Sequence, residues 1–138
     1  FPESYIENTG ERIRLYRELD NIREEKLLEK FEKDLSDRFG KIPEQTLELM
    51  NALRLRWKAM HLGFSKIILK SNKMFCHFIA DDSSLYYNSA VFSGILNYVN
   101  RNPKNCLMKN QAGKLVLQIY PIDSVQKANN IFKQMMSN

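Results

Sequence analysis

The sequence predicts an α+β fold in which a three-helix segment is followed by a ββαββα unit, its four strands forming a mainly antiparallel sheet covered by helices. Three observations carry this prediction. Apolar residues recur at helical spacing up to about Leu62, the pattern changes at Phe64 to short apolar runs, and the order strand–strand–helix then occurs twice. At 138 residues the chain has the length of one domain able to bury a core, and it reads as a single domain over 1–138, helical over 1–63 and ββαββα over 64–138.

Each element has a local reason. Residues 1–8, with Pro2, Tyr5 and Ile6, show no helical period and read as an extended arm. Asn8 and Glu11 have the spacing of a capping box, opening a helix with Ile13, Tyr16 and Leu19 on one face and Leu15 and Ile22 beside them. A second helix over about 23–39 places Leu27, Leu28, Phe31, Leu35 and Phe39 on its apolar stripe, and its remaining positions are mostly charged. Gly40 suits the left-handed residue that closes a helix, and Pro43 suits the first turn of the next. That third helix, about 43–62, repeats Leu49, Leu53, Trp57 and Met60, with Leu47, Met50 and Leu55 broadening the stripe, and Gly63 stops it.

Beyond Phe64, the runs 67–69 and 74–79 are separated by Ser71-Asn72 and read as a hairpin. Asp81 to Asn88 reads as loop. Ser89 caps a helix with Phe92, Ile95, Leu96 and Val99 inward, ended by Asn102-Pro103. Runs at 106–108 and 115–120 make a second hairpin around Ala112-Gly113. Asp123 or Ser124 then caps a last helix with Val125, Ala128, Phe132 and Met135 inward.

Charge is unevenly placed. Residues 1–63 hold 12 Lys/Arg against 13 Asp/Glu, and residues 64–138 hold 9 against 3, within a net charge of +5. The basic second half permits contact with nucleic acid or an acidic partner. Lys66, Lys70 and Lys73 surround the first hairpin, and Lys104, Lys109 and Lys114 the second. In this reading they would meet phosphates while Tyr86, Tyr87 and Tyr98 stack on bases. Lysines at strand ends also protect sheet edges from aggregation, and arginine is scarce there.

Catalytic and metal constellations are missing. There is no phosphate-cradling GxxxxGK[ST] loop, no GxSxG elbow and no HExxH spacing. Cys76 and His77 are adjacent in a strand and point to opposite faces. His61 falls at a helix end, and Asp81-Asp82 lacks a third ligand nearby. Cys76 and Cys106 read as buried reduced thiols. The fragment reads as a non-enzyme with no cofactor and no metal. No apolar run approaches the roughly 20 residues of a membrane span. The chain starts at Phe1, which reads as a start inside a longer polypeptide.

Asp37-Arg38-Phe39-Gly40, followed by Pro43, resembles the helix-turn-helix junction in the C-terminal domain of the bacterial transcription-repair coupling factors, the Mfd family. The arm Pro2-Glu3-Ser4-Tyr5-Ile6, the run Arg14-Leu15-Tyr16-Arg17-Glu18-Leu19, and Leu53-Arg54-Leu55-Arg56 before Leu62-Gly63 are similar to further landmarks of that family, in the same order. The resemblance covers residues 1 to about 64; Lys41 departs from the short apolar residue or proline found in many relatives.

The resemblance implies a cytoplasmic multidomain parent, an ATP-dependent DNA translocase using ATP and magnesium in its helicase-type motor domains. Such a parent engages DNA, displaces RNA polymerase stalled at damage and recruits the repair protein UvrA through a UvrB-like domain. It further implies that this C-terminal domain packs on the UvrB-like domain of its own chain and masks the UvrA-binding surface. Asp34 and Asp37, three apart on one helix face, take the motif positions that meet basic residues there. Arg38, Phe39, Gly40 and Pro43 supply the motif's architecture. The alternative is a basic nucleic-acid-binding module using Lys66, Lys70, Lys73, Lys109 and Lys114.

Overall fold

A computed structural model describes residues 1–79 and 84–137. Its elements are α1 (Thr9–Asp20), α2 (Glu25–Phe39), α3 (Glu44–Leu62), β1 (Phe64–Lys70), β2 (Lys73–Phe78), α4 (Ser84–Tyr87), α5 (Ala90–Arg101), β3 (Cys106–Gln111), β4 (Lys114–Ile119) and α6 (Val125–Met136). The predicted α+β class and the ββαββα order are found, with the single-turn α4 inside the stretch expected to be loop. The chain divides into two compact units, Phe1–Arg54 and Leu55–Asn138, and α3 supplies residues to both.

In the first unit, the Asn8 side chain accepts from the Glu11 backbone N–H at 2.9 Å, so half of the expected capping box forms. The buried stripe of α1 is Leu15 and Leu19, followed by Ile22. Ile13 and Tyr16 are exposed at 48% and 37%. Ile13 lies two residues from Leu15, about 200° around the helix. In α2 the inward set is Leu28, Phe31 and Leu35, whereas Leu27 is exposed and Phe39 is only half-buried. Met50 and Leu53 point inward from α3 while Leu49 and Met60 are exposed. The arm is not extended: the Tyr5 and Ile6 amides donate to the Pro2 carbonyl at 3.0 and 3.2 Å, a turn that carries Ile6 into the core.

The junction after α2 follows its sequence. Gly40 takes φ +86, where a side chain is disfavoured, and its amide donates to the Ser36 carbonyl at 2.9 Å. Three residues on, the Pro43 carbonyl accepts from Thr46 and Leu47 and opens α3.

In the second unit the strands form one sheet in the order β1-β2-β4-β3, with every neighbouring pair antiparallel. Both hairpins turn on two residues of positive φ, Ser71-Asn72 and Ala112-Gly113, as a primed turn demands. The hairpins adjoin through β2 and β4, with Met74 opposite Ile119 and His77 opposite Val116. Alternate residues face the core: Met74, Cys76, Leu117 and Ile119 pack with Leu62 of α3, Ile95 and Tyr98 of α5, and Phe132 and Met135 of α6. Tyr98 is thus a core residue and Leu96 an exposed one, the reverse of the predicted stripe. Val125 is half-buried, while Ala128, Phe132 and Met135 point inward as expected. Both cysteines are buried and unpaired, and burial pushes the Cys76 thiol far above its ordinary pKa.

Candidate interaction surfaces

The motif residues of α2 border a cleft of about 280 Å³ in the first unit, lined by Arg14, Leu15 and Glu18 of α1 and by Phe31, Asp34, Leu35, Asp37 and Arg38 of α2. Helical spacing builds it. Leu28, Phe31 and Leu35 are buried, while Asp34 and Asp37 stand on the exposed side of the same turns. Its cations are already engaged. Arg14 Nη2 meets Glu11 Oε1 at 2.5 Å and Arg38 Nη2 meets the same oxygen at 2.6 Å. Hydrogen bonds from Arg14 and then Arg38 hold the Glu11 carboxyl below the usual carboxylate range. Arg14 also lies 4.0 Å from Glu18.

Asp34 and Asp37 are both exposed, and among the described residues neither takes part in an ion pair. They sit in the C-terminal half of α2, where the partial negative charge of the helix end disfavours a carboxylate. The neighbouring motif residues hold the turn. The Arg38 guanidinium lies 4.8 Å from the Phe39 ring centroid, and Phe39 packs on Tyr5 at 5.8 Å.

Arg54, a family landmark in the sequence, has a structural task there. Its Nε donates to Glu25 at 2.9 and 3.1 Å, Nη2 to Glu32 at 2.8 Å and Nη1 to Asn51 at 3.0 Å, tying α3 to α2. Burial works against its charge, but the two glutamates outweigh that and raise its pKa.

The five lysines of the strands fall on one face of the sheet. Lys66, His77, Val116 and Lys109 form one cross-strand row, and Ile68, Phe75, Gln118 and Leu107 form a parallel row two residues along. Lys70 pairs with Lys73 and Lys114 with Gln111 at opposite ends of this face. All five lysines are exposed. Lys104 lies before β3, outside the strands. The tyrosines do not join them as expected. Tyr98 is buried, and Tyr86 packs behind Gly63 with its hydroxyl donating to the Leu62 carbonyl at 2.5 Å. Tyr87 packs edge-on against Tyr86 and Phe92. Phe75, passed over in the sequence as one more apolar strand residue, is half-buried on the lysine face. Pairing 70 with 73 across a two-residue turn was the signal for it, since that register puts 66, 70, 73 and 75 on one side.

Among the described residues no group of three or more His, Cys, Asp or Glu side chains could hold a metal ion, and Asp81 and Asp82 lie outside those residues. No described helix is long and apolar enough to cross a membrane.

Fold and surfaces together define an α+β module with a charged helical cleft and a one-sided basic sheet. The family model of the TRCF domain matches residues 1–89, and the chain belongs to that family. It is 26% identical over 100 residues to the transcription-repair-coupling factor of Rickettsia prowazekii, covering 72% of this chain and 8% of that protein. With the factor of Escherichia coli K12 it shares 32% identity over 66 residues, 48% of this chain and 6% of that one. The chain thus spans less than a tenth of the length of these relatives. In fold it is similar to the crystal structure of the C-terminal domain of a transcription-repair coupling factor, with a TM-score of 0.79, 14% identity, and coverage of 99% of this chain and 86% of that one.

Proposed function

We propose that this chain is one intramolecular regulatory domain of a cytoplasmic transcription-repair coupling factor, and that its α2 surface docks on the UvrB-like domain of the same polypeptide and masks the surface that binds UvrA. In this reading ATP-driven translocation, displacement of stalled RNA polymerase and DNA binding belong to other domains, which hold the ATP and magnesium. The observation that carries it is the state of Asp34 and Asp37: exposed, side by side and without an ion-pair partner among the described residues, while the nearby guanidiniums of Arg14 and Arg38 are held by Glu11.

The energetics suit a reversible mask. An exposed ion pair contributes about 0.2–1 kcal/mol, and a desolvated interfacial pair more. Tethering through a short flexible linker gives an effective concentration on the order of millimolar. Two such pairs then hold the closed state, and a change in the motor domains that favours the open one releases it. The test is charge reversal of Asp34→Arg and Asp37→Arg in the full-length factor. UvrA binding, measured by calorimetry, is expected to rise. Unchanged UvrA binding with the domain still folded overturns the contact assignment.

A further inference from the structure

We infer that the face of the sheet opposite the core cluster is a binding surface for single-stranded nucleic acid, with lysines on the phosphates and Phe75 under a base. The surface lies wholly in the second unit, and the inference is independent of the Asp34–Asp37 contact.

Charge is the first observation. The four strands contain five lysines and one histidine and no aspartate or glutamate. The register places all five lysines on the face opposite the core, where each is exposed. Edge protection alone does not explain this pattern. It requires charge on the outer strands β1 and β3, yet Lys73 and Lys114 belong to the inner strands β2 and β4. By strand geometry the lysines frame a field of about 14 Å across the strands and about 20 Å along them. That field accommodates a few nucleotides.

Chemistry inside the frame separates the possible occupants. Between the lysine rows lie Ile68 and Phe75, both half-buried, and Leu107, which is 41% exposed. Gln118 is buried between Phe75 and Leu107 in the row, and Val116 is buried in the row beside them. A duplex presents phosphates to such a surface and keeps its bases stacked inside, so the apolar strip would face charge. An acidic peptide satisfies the ammonium groups and leaves the ring without a planar partner. A single strand offers both, phosphates outward to lysine and an unstacked base to an aromatic platform. Lysine suffices for the phosphates, because non-specific attraction needs point charge more than a bidentate fork.

The experiment is fluorescence anisotropy of a labelled 12-nucleotide oligothymidylate with the 138-residue chain. Binding is expected at low salt, with a log–log salt slope of about −2 to −3.5 for three to five phosphate contacts. The double variant Lys66→Glu/Lys109→Glu is expected to bind at least tenfold more weakly and with a shallower slope. Phe75→Leu, which keeps apolar volume and removes the ring, is expected to lose about fivefold or more, and Phe75→Tyr to retain binding. Circular dichroism melts check that each variant folds. Failure to bind at about 50 mM salt overturns the inference, as does binding that the double variant leaves unchanged. Equal or tighter binding of a 12-base-pair duplex, or full competition by polyglutamate at matched charge, assigns the face to another partner and overturns it as well.

Discussion

The Tyr5 hydroxyl donates to the Gly40 carbonyl at 2.8 Å and reaches the Leu35 carbonyl at 3.3 Å, so the N-terminal arm is fastened to the end of α2. Two stretches thirty-five residues apart in sequence are therefore one structural device. The arm sets the turn that follows Asp37, and through it the placement of the exposed carboxylates. Tyr5→Phe removes these hydrogen bonds and keeps the ring on Phe39. It is expected to lower stability by about 1 kcal/mol. The check is a urea titration in which the midpoint falls and the slope does not change.

Glu11 makes the first unit sensitive to acid. Its carboxyl is held below the usual range by hydrogen bonds from Arg14 and Arg38. A depressed folded-state value means that the contribution is complete above the unfolded value, about 4.3 for glutamate, and is lost as pH falls through the lower folded one. Wild type and Glu11→Gln should therefore differ by a constant amount above about pH 5, and the difference should shrink below about pH 4. Thermal melts across that range measure it. A difference that grows toward acid pH contradicts the assignment.

Much of this architecture was legible because turns are written in residue types with few conformational choices. Gly40, Gly63, Ser71-Asn72 and Ala112-Gly113 all adopt positive φ, and both hairpins and the ends of α2 and α3 follow from them. The choice of inward face was less legible. Adjacent apolar residues such as Leu27 and Leu28, or Leu49 and Met50, fit two stripes 100° apart on a helix, and only tertiary packing selects between them. Strand order was hidden for the same reason, since no local feature dictates that β4 rather than β3 lies beside β2. The candidate site divided likewise. Asp34 and Asp37 were visible from motif and spacing, but Glu11 as holder of both arginines, and Tyr5 as a clasp, depend on side chains meeting across 27 and 35 positions.

Asp37 offers a test of whether the surface carboxylates serve the fold. It stands in the last turn of α2, three residues from a like charge, and both circumstances disfavour it. Asp37→Asn is expected to leave the isolated chain as stable or to raise its stability by about 0.3–0.5 kcal/mol. A chemical denaturation series at low and high salt checks this, with any gain smaller at high salt. A clear loss of stability would mean that the carboxylate has an internal structural task.

Gly63 and Tyr86 are coupled by shape as well as by chain geometry. Gly63 takes φ +89, and a Cβ built there would lie 2.2 Å from Tyr86 Cε1. The ring is fixed in place because its hydroxyl donates to the Leu62 carbonyl at 2.5 Å, and burial keeps that hydroxyl protonated by pushing its pKa far up. Gly63→Ala meets two costs, about 1–2 kcal/mol for the left-handed backbone and about 1–3 kcal/mol for overpacking against the ring. Tyr86→Leu removes the second cost and leaves the first. A double-mutant cycle should therefore show Gly63→Ala costing about 2–5 kcal/mol in the wild-type background and about 1–2 kcal/mol beside Leu at position 86. Equal costs in both backgrounds would assign the whole penalty to the backbone and deny the ring a part in closing α3.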